Sequence, residues 1–223
     1  AYWTKEKSRF KNRLHSLFTQ AGLTDVKKLD ISTKSNREGV LPLLPDRYHN
    51  EGERLHKHLT EIEETLNDIE EEVRDYLKKN LEASTILLSM PGIGLVTCLS
   101  LLSYIGNIDR FSSSKQVSYY VGLVPRVDIS GSIVRYGHIV KHGCRTIKRL
   151  IVQCAWSLVK SKSGGALRDF YLKKKDLIGK GKSIVAVARK MIEVLYTMLK
   201  NGETYRYMED EVLTKKLKRI GIM

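Results

Sequence analysis

Apolar positions recur along most of this chain at the three- and four-residue steps of a helix, and glycine or proline marks the breaks. Trp3, Phe10, Leu14, Leu17, Phe18 and Ala21 share one helical face, and Gly22 supplies a stop after it. The stretch 23–50 loses that rhythm. It holds Pro42, Pro45 and the polar run Ser32-Thr33-Lys34-Ser35-Asn36-Arg37, and reads as a connector with room for a short helix. From Glu51 the pattern sharpens: Leu55, Leu59, Ile62, Leu66, Ile69, Val73 and Tyr76 advance by fours and threes in strict alternation. A seam repeating every ~3.5 residues predicts a coiled coil, with acidic residues on its outer positions. Packing on its own domain is the plainer alternative; pairing with a second copy of the chain is the expectation.

Beyond residue 86 the elements shorten. Met90-Pro91-Gly92-Ile93-Gly94 separates two apolar helical runs, and Ser112-Ser113-Ser114 can cap a helix over 115–121 that ends at Gly122. Val127-Asp128-Ile129 and Ile133-Val134-Arg135-Tyr136 flank Ser130-Gly131-Ser132 as a small hairpin or a loop. Amphipathic helices follow over 144–160, 166–177 and 184–199, and a last helix over 209–219 reads as exposed and peripheral. The fold class is therefore mainly all-α. Its expected parts are an N-terminal helix and connector (1–50), a long coiled-coil arm (51–85), a compact domain with a helix-hairpin-helix element and a serine-bearing loop or hairpin (86–200), and a tail helix (201–223).

Charge sharpens the picture. The net charge is +14, which points to a polyanion, most simply nucleic acid. It is also segregated. Residues 51–79 hold ten acids against five Lys/Arg, whereas 110–190 hold eighteen Lys/Arg against three acids. A basic working face and a separate acidic element follow. The three cysteines, Cys98, Cys144 and Cys154, lack Cys-x-x-Cys spacing and read as reduced thiols of a cytoplasmic protein. No secretory signal or bilayer-length apolar run is present, so no membrane association is expected. The chain begins inside an amphipathic pattern at Ala1, as a fragment of a longer protein would.

Several motifs bear on chemistry. Two glycines in Pro91-Gly92-Ile93-Gly94 permit a tight turn whose following helix N-terminus can seat a phosphate. Such a seat carries no sequence information. Gly181-Lys182-Ser183 is not a P-loop, because Asp176 occupies the required first glycine and a helix precedes it. His138, His142 and Cys144 lack a fourth ligand, so no metal site is assigned in this chain. Tyr171, downstream of His142-x-x-Arg145, superficially suits a tyrosine recombinase but is more simply a half-buried aromatic. Ser130 has glycine beside it and Arg126, Arg135, His138 and Lys141 nearby to offset charge on an attacked phosphate. Arg145, Lys148 and Arg149 form the outward face of the helix that follows. On spacing alone, however, Ser-Gly-Ser is better explained as a turn.

A family resemblance changes that balance. Met90-Pro-Gly-Ile-Gly94, Ile105-Gly-Asn-Ile-Asp-Arg-Phe111, Tyr120-Val-Gly-Leu-Val-Pro-Arg126, Ser130-Gly131 and Gly137-His-Ile-x-Lys-x-Gly143 together resemble the transposases of insertion sequences 110, 116 and 902, relatives of the Piv invertase. The resemblance covers about residues 10–200 and is to the C-terminal region of those enzymes. It implies a transposase that acts on DNA, with a serine, Ser130 here, as nucleophile forming a phosphoserine linkage. Many relatives have two serines before this glycine where the present chain has Ile129, which leaves Ser132 as the alternative. The resemblance further implies a RuvC-like N-terminal domain with a DEDD tetrad for Mg²⁺, a bridge-type RNA and an oligomer with composite sites. No such tetrad can be assigned here, so the fragment alone should be inactive and need no cofactor. A different class remains open, a non-enzymatic helix-hairpin-helix DNA-binding module; a purely structural dimerisation fragment is a third.

Overall fold

The apolar stripe of the first helix, α1 (Tyr2–Gln20), buries Leu14, Leu17 and Phe18. In this computed structural model residues 2–23, 31–130 and 133–223 are described. The chain divides into two units, 1–72 and 73–223.

In the first unit the polar connector contains a true helix, α2 (Lys34–Val40). Its cap is Thr33, whose side chain accepts a hydrogen bond from the Asn36 N–H at 3.2 Å. A single 3₁₀ turn with Pro42 follows, and Pro45 precedes α3 (Asp46–Lys79). Ile31, Val40, Leu41 and Leu44 join the α1 stripe, and so do Leu55 and Leu59 of α3. Arg37 is only 1% exposed. Its guanidinium forks onto Glu63 at 2.6 and 3.1 Å and also reaches the carbonyls of Ile31 and Ser32. Lys7 completes the cluster 3.0 Å from Glu63. Burial pushes the Glu63 carboxyl up, but the hydrogen bonds and charges of Arg37 and Lys7 prevail and hold it below its ordinary value.

This packing revises the expected seam. Leu55, Leu59 and Ile62 are buried by the chain itself, as the plainer alternative had it. Leu66 is half-buried, while Ile69 and Tyr76 are exposed. Only the later half of the stripe is left for a partner.

The second unit takes in the end of α3, with Leu77 buried, and all the shorter helices. α4 (Leu81–Ser89), α5 (Leu95–Ile105) and α6 (Ser114–Val121) precede an antiparallel pair, β1 (Pro125–Ser130) and β2 (Ile133–Ile139). Then come α7 (Arg145–Lys160), α8 (Gly165–Ile178), α9 (Lys180–Asn201) and α10 (Asp210–Arg219). α9 is the central post: it packs on α4, α6, α7 and α8, with Val187, Ala188, Met191, Ile192 and Leu195 in the core. Among the described residues the fold is mainly all-α, and no helix is long and apolar enough to cross a membrane.

The last stretch is not peripheral. Leu213 and Leu217 of α10, with Tyr205 and Ile222, are buried in the main core. The Tyr205 N–H donates to Ser89 Oγ at 2.7 Å, its hydroxyl donates to the Gly164 carbonyl at 2.9 Å, and Arg74 Nε donates to the Ile220 carbonyl at 3.0 Å. The stripe that does this is two leucines four residues apart, on a helix otherwise crowded with charge, which is why its sequence reads as a solvated tail.

Candidate nucleic-acid interface

The turn between α4 and α5 is fixed from below. Pro91 and Ile93 are buried, so their side chains anchor the turn, and only its backbone can serve the expected phosphate seat. Gly92 has φ +88°, and a Cβ there would lie 2.5 Å from the Cys154 carbonyl oxygen of α7. The Cys154 thiol donates to the Gly92 carbonyl at 3.1 Å. Lys216 of α10 donates its ammonium to the carbonyls of Leu88 and Met90, closing the end of α4. Burial pulls that ammonium down to about 8 and pushes the Cys98 thiol up to about 12, with Cys154 also raised by burial. These two thiols are structural rather than reactive. What the turn offers outward is backbone: Gly94 caps α5 with no side-chain bond to its first turn, and a Cβ on Gly94 would meet open space.

α6 delivers the chain to the hairpin. Ser113 Oγ accepts from the Gln116 N–H at 3.3 Å, and Gly122 ends the helix in the left-handed region at φ +79°. Side chains at Gly122 and Gly143 would strike the backbone of His142 and of Val121 respectively, so the two segments at the hairpin's root meet backbone to backbone.

The hairpin itself projects into solvent. Its register pairs Asp128 with Arg135, Ile129 with Val134 and Ser130 with Ile133, leaving Ser130 as the last paired residue of β1. Strand alternation puts Asp128, Ser130 and Arg135 on one face. Arg126 joins them, its Nε donating to Asp128 Oδ1 at 2.9 Å. Val127, Ile129 and Val134 occupy the other face, and Ile129 is 70% exposed. Between Pro125 and Val127 the register slips, so that Gly137 and His138 stand opposite Arg126. Ser132 lies outside the described residues, as does Gly131.

Beyond β2 the loop is pinned. Lys148 donates to the carbonyls of Val140 (3.2 Å) and His142 (2.9 Å), and is half-buried. From the outward face of α7, where DNA contact is expected, it ties down the loop that follows β2. His142 lies against the Tyr119 ring, 4.6 Å between centroids, with Nε2 3.1 Å from the Tyr119 carbonyl oxygen. Arg126, Arg135, His138, Lys141, Arg145 and Arg149 are all exposed, as their sequence pattern suggests. Tyr171 is buried edge-on against Trp156, which removes it as a nucleophile. Among the described residues no three His, Cys, Asp or Glu side chains are grouped to hold a metal. Sequence reasoning passes over Tyr119, an exposed aromatic at the hairpin's root, and Arg110, which stacks on Phe111 and Tyr120 at 4.6 Å from each ring. Adjacent tyrosines, one pointing inward and one outward, are the available signal.

Residues 84–172 match the transposase IS116/IS110/IS902 family, a span that encloses the α4–α5 turn, the hairpin and the whole of α7. That segment carries the family's domain. It is 31% identical over 154 residues to the transposase for insertion sequence element IS1111A of Coxiella burnetii, covering 68% of this chain and 42% of that protein. It is 28% identical over 151 residues to the transposase for IS1328 of Yersinia enterocolitica, covering 68% and 45%. A pilin gene-inverting protein of Moraxella lacunata is 30% identical over 125 residues, covering 55% and 38%. The chain thus spans less than half the length of these relatives. The family segment brings the α4–α5 turn, the hairpin and the basic N-terminus of α7 into one unit.

Proposed function

We propose that this chain is the DNA-handling, C-terminal part of a transposase, and that Ser130 is the residue that attacks the phosphodiester. The observation that carries the reading is the position of Ser130: exposed, at the end of a projecting strand, on the face that holds Arg126, Asp128 and Arg135. A serine must reach a phosphorus atom inside a bulky duplex, and a projecting hairpin gives that reach. Attack by Oγ makes a phosphoserine bond and expels one sugar oxygen, while charge builds on the other phosphoryl oxygens. The two arginines offset that charge, and Asp128, two residues or about 7 Å along the strand from Ser130, orients Arg126. Arg145, Arg149, Lys141 and His138 hold neighbouring phosphates, and the N-terminus of α5 at Gly94 offers a further backbone seat.

The same proposal includes a bridge-type RNA and a second copy of the chain, which would cover Leu66, Ile69 and Tyr76 of α3. Mg²⁺, in the complete enzyme, would be held by the acidic tetrad of a RuvC-like domain; among the described residues of this chain no three His, Cys, Asp or Glu side chains are grouped to hold it.

The test uses the complete transposase, supplied with its RNA, its DNA and Mg²⁺. Ser130→Ala should abolish a denaturant-resistant protein–DNA adduct yet leave DNA affinity nearly unchanged, since one hydroxyl adds little to a charge-dominated interface. Loss of the adduct in Ser132→Ala but not in Ser130→Ala would move the assignment to Ser132.

A further inference from the structure

At the root of the hairpin an open cavity of about 630 Å³ is lined by Tyr119, Val124, Pro125, Arg126, His142 and Arg189, with Val127 and Val140. All of its walls lie in the second unit, from α6, the two ends of the hairpin and α9. Its chemistry is uncommon on this surface. Tyr119 is 60% exposed, although a large aromatic on a helix normally finds a core, as its neighbour Tyr120 does against Tyr104 and Phe111. Tyr119 does not swing freely: the His142 ring braces it at 4.6 Å, and the His142 backbone is in turn held by Lys148. A braced, exposed ring is a surface prepared for something flat.

The charged groups fit the same ligand. Arg126 and Arg189 enter the cavity from opposite elements, each steadied by a carboxylate, Asp128 at 2.9 Å and Glu193 at 3.0 Å. A guanidinium oriented in this way can stack on a ring or fork onto a phosphate. Val124, Pro125 and Val140 supply apolar wall. One planar aromatic, two oriented cations and an apolar wall are what an unpaired nucleotide needs: base on ring, phosphate on guanidinium. A paired, stacked base offers only its edge and would leave Tyr119 uncovered.

We infer that this cavity takes a single unstacked nucleotide of a DNA strand, with its base on Tyr119. The inference rests on the DNA reading above and adds a specific consequence to it. Since Arg126 also faces Asp128 on the Ser130 side of β1, an extruded base at the root would fix the strand's register relative to the tip. Tyr119 is then a positioning residue.

The chain is titrated against two DNA duplexes that differ only by one unpaired 2-aminopurine, with anisotropy reporting affinity and 2-aminopurine emission reporting stacking. The bulged duplex should bind about fivefold tighter or better, the low end of base-on-aromatic stacking, and its emission should be quenched on binding. Tyr119→Phe should retain both effects. Tyr119→Ala should erase both while leaving the intact duplex unaffected; the exposed position makes misfolding a small concern, and circular dichroism checks it. Equal affinity of the parent chain for both duplexes, or equal weakening of both by Tyr119→Ala, overturns this inference and leaves the DNA reading standing. No binding to either duplex overturns both. A bulged RNA of the same sequence binding more tightly than the DNA overturns the assignment to a DNA strand.

Discussion

Gly92 and Gly94 stand two residues apart in one turn, and alanine at each should do opposite things. At Gly92 the backbone sits at φ +88°, and an L-residue held there costs about 1–2 kcal/mol. The new methyl would also lie 2.5 Å from the Cys154 carbonyl oxygen and 3.0 Å from Ser157 Cβ. Neither neighbour can turn aside: one is helix backbone and the other is fixed at its first side-chain carbon. The turn must lift from α7, weakening the packing of Ile93 and the thiol bond to Gly92, and overpacking of this kind costs about 1–3 kcal/mol. Gly92→Ala should therefore destabilise by about 2–5 kcal/mol. At Gly94 φ is −111° and nothing lies within 4 Å of an added methyl. A weaker helix cap and a stiffer unfolded chain roughly cancel there, for a net change within about 1 kcal/mol. The chain has two tryptophans, one in each unit, so in a Trp3→Phe background Trp156 alone reports on unfolding of the second unit in urea. The effect on DNA should reverse. A methyl at Gly94, the N-cap of α5, would enter the open space before the proposed backbone phosphate seat and should weaken DNA binding, whereas folded Gly92→Ala should bind much as the parent does. Equal destabilisation by both substitutions, or a Gly92→Ala cost below about 1 kcal/mol, would refute the reasoning.

Other outcomes follow from the same geometry. Replacing Arg145 and Arg149 by alanine should flatten the dependence of log affinity on log salt by about 1.8, or about 0.9 for each phosphate left without its arginine, while Lys148→Met should act mainly on stability. A Leu66→Asp, Ile69→Asp variant should run as a monomer in light scattering where the parent runs as a dimer, with its fold intact; a monomeric parent at tens of micromolar would count against α3 pairing. Because Glu63 is held below its ordinary value, its contribution is complete above the unfolded carboxyl pKa of about 4.3 and disappears as pH falls through the lower folded one. Melts of the parent should show that decline. Glu63→Gln should not, and should cost about 3 kcal/mol at neutral pH by stranding Arg37.

The helices written in clear periodicity are legible: α1, α6 with its serine cap and glycine stop, and α7 with its inward Ile147 and Ile151. α2 is legible only as room for a short helix, because it is held by a threonine cap and a buried arginine rather than by an apolar stripe. The heptad of α3 is real as a pattern, but a pattern names a buried face and not what buries it; α1 and the 31–44 segment take half of it. In the site, exposure of the hairpin cations follows from the sequence. The fate of Lys148, Pro91 and Ile93 does not, since each depends on packing against segments distant along the chain. α10 is legible as a helix over 209–219, but its docking is not, because its charge outweighs a two-leucine stripe.

That last helix bears on how the protein is made. Tyr205, Leu213, Leu217 and Ile222 enter a core whose other walls begin at Leu77, and Lys216 closes the carbonyl end of α4. On the ribosome, then, the second unit cannot finish folding as its helices emerge; it waits for nearly the last residue of this stretch. A reading-frame lesion anywhere before Leu213 leaves no shortened but folded version of the hairpin-bearing unit. It leaves an open core and a target for proteolysis.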